Sequence, residues 1–180
     1  MKVRQLILAA VLVAVPASTF AQNANPLTAN AKVQLGAITG FVIRSAEKVP
    51  EDLYSFKATP EVRSMGQLFG HIADALFGMC AMANSAKPPR TDIEKSVTAK
   101  AQLVAALKEG VAYCNTVLDG MNDTKGAETI QFYFGPTPRL SALYFATTHT
   151  YEHYGNLVTY MRLKNIVPPS SEPPPAKPKH

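Results

Sequence analysis

Apolar residues along this chain recur at intervals of three and four, the spacing of one face of an α-helix, and four segments carry the pattern. The first is predicted over Leu27–Lys48, stopping before Pro50, with Val33, Ile38, Phe41, Val42 and Ala46 as its apolar stripe. The second is predicted over Ser64–Asn84, with Met65, Leu68, Phe69, Ile72, Leu76, Met79 and Ala83 facing a core. Ser64 followed by Gln67 fits a capping box, in which each side chain satisfies a free backbone N–H of the first turn. The third is predicted over Val97–Met121, after a short turn around Asp92–Lys95, and buries Leu103, Leu107, Val111, Cys114 and Leu118. The fourth is predicted over Pro138–Asn165, with Thr137 as cap and Pro138 where a missing N–H costs nothing. No stretch alternates long enough for a core sheet, so the fold class is all-α.

The connections shape the topology. Those over Val49–Arg63 and Asn122–Thr137 are each about fifteen residues, longer than the two to eight of a tight helical connection. They predict a four-helix bundle with two long crossover connections. Ile130–Phe134 reads as a short extended piece within the second of them.

The chain's two ends stand apart from this pattern. Met1–Arg4 is a short basic start, Leu6–Ala17 is an apolar run, and Thr19-Phe20-Ala21 offers small residues for a signal peptidase. The run is about a dozen residues, too short to span a bilayer core as a helix. Residues 1–21 are therefore expected to be a signal peptide cleaved after Ala21, giving a periplasmic or secreted protein with no membrane segment after its removal. No cysteine follows the run, which argues against a lipid anchor. The bundle is assigned to residues 22–168. Residues 169–180, rich in proline, are expected to form a disordered, solvated tail.

Charge excludes one class of partner. The full chain has 18 Lys+Arg and 13 Asp+Glu, a net +5; without Lys2 and Arg4 the balance is 16 against 13, or +3. The basic residues are scattered and not interleaved with aromatics, so no nucleic-acid partner is expected.

Two cysteines in an oxidising compartment raise the question of a disulfide. If the second and third helices form an antiparallel hairpin turning near Pro88-Pro89, Cys114 lies roughly 12 to 17 residues beyond the position facing Cys80. That is about 18 to 25 Å along a helix, against the 7 Å or so within which Cα atoms must lie. Two free, buried thiols are expected on that geometry; a different helix order would reverse it.

The candidate chemistry lies in the histidines. His180 ends the tail. His149 and His153 are four apart on the fourth helix, so both rings leave one face a turn apart, a spacing that suits one metal ion. His71 lies at the edge of the second helix's apolar stripe, where a side chain can reach a cleft between helices. Gln67, Glu152 and Asn156 lie close enough to orient an imidazole or hold a metal-bound water. His149-Thr150-Tyr151-Glu152-His153 also matches the H-x-x-E-H of inverzincin peptidases. That pattern needs a downstream glutamate as third ligand, and only Glu172, in the tail, follows.

Longer motifs carry a family resemblance. Tyr54 to Ser64, leading into Gly70-His71-Ile72-Ala73-Asp74-Ala75, then His149 to Leu157, Tyr160 to Lys164 and Ile166 to Ser171, resemble the DinB superfamily of metal-binding four-helix bundles. That superfamily includes the YfiT-like proteins and the mycothiol- and bacillithiol-dependent transferases. The resemblance implies a divalent metal ion held by His71, His149 and His153, and a homodimer. All-imidazole ligation accepts zinc, nickel, copper or iron and does not choose among them. It further implies a metal-dependent transferase or hydrolase acting on a small molecule; the alternative is a non-catalytic metal- or ligand-binding module. Low-molecular-weight thiols are cytosolic, so export weakens the thiol-transfer reading. No DNA chemistry is expected, since neither an acidic polymerase cluster nor a basic groove is present.

Overall fold

The computed structural model describes residues 24–173. Four long helices form a bundle: α1 (Pro26–Lys48), α2 (Met65–Ala83), α4 (Lys100–Asp119) and α6 (Arg139–Leu163). Short helices α3 (Ile93–Ser96) and α5 (Asp123–Gly126) and a hairpin of β1 (Thr129–Phe132) with β2 (Gly135–Pro138) lie in the connections. The fold is the all-α bundle that the periodicity predicts. Among the described residues no helix is long and apolar enough to cross a membrane. The proposed signal segment lies outside them, as does His180.

The stripes mostly fall where expected, with one shift. On α1 the buried set is Ala31, Leu35, Ile38, Val42 and Ala46, spaced by four, three, four and four. Val33 is 70% exposed; five residues before Ile38, it lies about 140° round the helix. The core face of α6 hides polar residues among apolar ones. Thr147 and Thr150 are buried there, and each hydroxyl donates to the carbonyl four residues back, Leu143 at 3.1 Å and Ala146 at 2.7 Å. Satisfied in this way, a threonine costs little in a core. Thr137 does not cap α6: it pairs with Ile130 in the hairpin, and Pro138 stands at the cap.

Contacts at the helix ends give the order of the bundle. Tyr160 donates to the Arg63 carbonyl at one end and Arg139 to the Ala83 carbonyl at the other, so α2 and α6 are antiparallel. Tyr144 donates to the Leu27 carbonyl and Phe41 stacks on Tyr154, so α1 and α6 are parallel. Lys32–Asp119 and Lys108–Glu47 ion pairs make α1 and α4 antiparallel. Both α1 and α2 pack on α4 and on α6, which leaves α1 opposite α2 and α4 opposite α6 across the bundle. The two long connections thus cross diagonals.

The connection over residues 84–99 departs from expectation. It is not a hairpin turn at Pro88-Pro89; it runs back along α2, placing α3 beside the middle of α2 and starting α4 beside the end of α1, where Lys100 Nζ donates to the Glu47 and Val49 carbonyls. Helices α2 and α4 therefore run parallel, and Cys114 arrives opposite Cys80. The two form a disulfide, with Cα atoms 5.3 Å apart. The expectation of free thiols was wrong because it assumed antiparallel helices.

The expected solvated tail is also docked at its start. Pro168 and Pro169 are buried, Pro169–Ser171 forms a 3-10 turn, and Ser170 N–H donates to the Tyr154 hydroxyl at 3.0 Å. Lys48 grips the Glu172 carboxylate at 2.7 Å.

Candidate metal centre

The site forms where the middle of α2 faces the middle of α6. The capping box is present, with Ser64 N–H donating to Gln67 Oε1 at 2.9 Å and Gln67 N–H to Ser64 Oγ at 3.2 Å. It fixes the start of α2 two turns before His71. From α6, His149 and His153 project a turn apart towards it. His149 Nε2 stands 3.2 Å from His71 Nε2 and 3.2 Å from His153 Nε2. One ring nitrogen from each lies within 4.8 Å of those of the other two. Two nitrogens held by one ion at about 2.0–2.1 Å, with a tetrahedral angle between them, stand about 3.3 Å apart. The observed spacing fits such an ion, and the structure brings together the three histidines singled out in the sequence.

The electrostatics favour neutral rings at His149 and His153. His153 is 6% exposed. Burial first, then the neighbouring His149 and His71, push its pKa from the usual 6.5 down to about 4. Burial and His71 also lower His149, against the opposing pull of Glu152. Neutral imidazole is the form that ligates a metal. His153 Nδ1 is buried without a hydrogen-bond partner among the protein groups.

None of Gln67, Glu152 and Asn156 hydrogen-bonds to a histidine ring. Gln67 is committed to the capping box. Glu152 is exposed, with a carboxylate oxygen 3.9 Å from His149 Nδ1, beyond hydrogen-bond distance. Exposed Asn156 lines a cleft of ≈ 480 Å³ with Arg63, Glu152, His153 and Tyr160. Glu172, the only candidate third ligand of a peptidase, is held by Lys48 and is absent from the cluster.

A different carboxylate reaches the site. Glu94, on α3, places Oε2 2.8 Å from His71 Nδ1 and accepts from Arg63 Nε at 2.8 Å through Oε1. Burial pushes its pKa up, but the hydrogen bonds and charges of Arg63 and His71 outweigh that and hold it below the ordinary glutamate range. Twenty-three residues from His71, it carries no helical-spacing signal that would mark it in the sequence.

Aromatic rings flank the other side. Phe145, one turn before His149, stacks on it with centroids 6.1 Å apart. Phe132 and Phe134 meet Phe145 edge-on at 5.5 and 5.2 Å. Tyr133 and Phe134 occupy the two tip positions of the hairpin and are 59% and 77% exposed. Gly135, at φ 105°, takes the left-handed backbone that closes the turn.

A four-helix bundle with a three-histidine cluster between two facing helices defines a class of candidate metal-binding bundle proteins. Within that class the assignment is direct: a family model for the DinB superfamily matches residues 42–157, and the chain belongs to that superfamily. A DinB-like protein from Bacillus cereus aligns with TM-score 0.65 and 17% identity, over 73% of this chain and 89% of its own. One from Bacillus subtilis aligns with TM-score 0.64 and 20% identity, over 76% and 92%. The mycothiol-dependent maleylpyruvate isomerase aligns with TM-score 0.53 and 15% identity, over 72% of this chain and 60% of its own. At these identities the likeness is one of fold. No curated protein matches the chain.

Proposed function

We propose that this chain is an exported DinB-family metalloprotein that holds one divalent cation through His71, His149 and His153 and uses it on a small molecule. The observation that carries the reading is the convergence of Nε2 atoms at 3.2 Å. In the tautomers that leave Nε2 unprotonated, lone pairs face one another at that distance and repel, and a shared cation relieves the repulsion. Three protein ligands leave coordination positions open, as in catalytic rather than structural sites. When bound, the ion supplies a Lewis acid that depresses the pKa of a coordinated water or thiol.

The surroundings favour a substrate with two characters. Phe145, Phe134 and Tyr133 offer a ring-faced shelf on one side of His149, while the cleft beside His153 offers Arg63, Asn156 and Tyr160. A small electrophile with an apolar group and a polar end fits between them. Transfer or hydrolysis are the two reactions this chemistry supports. The isomerase of similar fold is mycothiol-dependent by name, which supports including a thiol co-substrate among the candidates. Export to the periplasm or beyond draws support from the Cys80–Cys114 disulfide, a bond that persists in oxidising compartments. A homodimer remains part of the proposal on family grounds. The second reading, a binding module without turnover, would use the same ligands.

Elemental analysis of protein purified without an affinity tag tests the centre. One equivalent of a divalent metal is expected in the wild type and near none in His149→Ala. Assays of model electrophiles, with and without thiol, then separate the two readings. Metal-dependent turnover supports the enzyme, and its absence across a broad panel supports the module.

A further inference from the structure

We infer that Glu94 is the positioning residue of this centre, fixing His71 in the tautomer that aims a lone pair into the cluster. The inference rests on reading His71, His149 and His153 as ligands.

An ionised carboxylate only accepts hydrogen bonds. At 2.8 Å from Glu94 Oε2, His71 Nδ1 is therefore the donor. A ligating imidazole is neutral, and with its one proton on Nδ1 His71 carries its lone pair on Nε2, the atom facing His149 at 3.2 Å. The other oxygen of Glu94 is taken by Arg63 Nε, so the carboxylate cannot turn away without breaking that bond.

The connection that delivers Glu94 is held in three independent ways. Asp74, one turn after His71 on α2, accepts the backbone N–H groups of Ile93 at 3.0 Å and Glu94 at 2.9 Å. Gly70 lets α3 lie directly on α2: a Cβ there would stand 2.7 Å from Glu94 Cα and 3.0 Å from its nitrogen, and backbone cannot yield that much. Ile93 is fully buried against the core. Of this segment's side chains, Glu94 is the one bonded to the histidine cluster. Because Asp74 grips backbone, the segment stays in place when the side chain at 94 changes.

Glu94→Gln is the test, since glutamine offers one acceptor oxygen to two donors. Long-range 1H–15N spectra of the metal-free wild type should show His71 protonated at Nδ1, and the variant should show a mixture or the opposite tautomer. Zinc affinity, read by competition with a chelator, should fall about 10- to 100-fold. The thermal midpoint of the metal-free variant should stay within about 4 °C of wild type. An Nε2-protonated His71 in the wild type overturns the inference, and that spectrum needs no variant. So does a zinc-binding wild type matched within twofold by Glu94→Gln, which leaves the metal reading intact. A wild type that binds no zinc or other divalent ion overturns the metal reading and this inference with it.

Discussion

His153 sits where burial and neighbouring rings act in the same direction, and its acid behaviour follows. In the unfolded chain it titrates near 6.5; in the fold its pKa is pushed down to about 4. Between those values the unfolded state binds the extra proton, so stability is full above pH 6.5 and is lost as pH falls towards 4, then levels off. His149, lowered for similar reasons, adds to the slope. Urea unfolding of the metal-free protein from pH 7.5 to 4 should show a falling midpoint, and His153→Gln should flatten it. An equal slope in both would place the titration elsewhere. At this scale the histidine cluster was legible in the sequence and the groups around it were not. The chain has four histidines, and two at i and i+4 announce a shared face. Glu94 is one acid among 13, and only the path of residues 84–99 along α2 brings it to His71. The flanking acid that helical spacing did suggest, Glu152, faces solvent instead.

Among the elements, helix faces and the cap of α2 were readable because they depend on residues three and four apart, whereas Thr137, expected to cap α6, is taken by the hairpin. The stripe of α2 and the Ser64–Gln67 box stand as expected. Relative helix direction depends on how a connection packs, and local spacing is silent on it. Residues 84–99 hold two prolines in a row, which suggests a turn. Yet Asp74, Gly70 and Ile93 dock the segment along α2 and make α2 and α4 parallel. The disulfide is the consequence. It ties residues 34 apart in sequence, and restricting a loop of that size in the unfolded chain contributes about 3–4 kcal/mol. Cys80→Ala/Cys114→Ala should lose stability of that order in denaturant titrations, with a shift in midpoint and a steeper or unchanged slope. A loss under about 1 kcal/mol would mean that the packing of α2 on α4 already fixes the loop.

Across the whole molecule, the site joins parts of the chain that do no local work for one another. The connection after α2 carries Glu94, the turn before α2 carries Arg63, and the hairpin between α5 and α6 carries the aromatic tip. Tight hairpins favour Gly, Asn or Asp where the backbone takes a positive φ; here Gly135 takes it and the tip residues do not. The turn thus sets no demand for rings at Tyr133 and Phe134, and Phe134 is 77% exposed. It lies edge-on to Phe145, which stacks on His149, so on the proposed function it belongs to the ring-faced shelf offered to a small molecule. Phe134→Ser should therefore leave stability within about 0.5 kcal/mol, as exposed substitutions do. It should weaken capture of an aromatic substrate about 2- to 10-fold, the worth of one ring contact, and spare an aliphatic one with the same reacting group. Parallel kcat/KM measurements on such a pair read the difference directly. Equal losses on both substrates would make the tip a general support of the site, and a change from dimer to monomer in sedimentation would assign it to contact between copies.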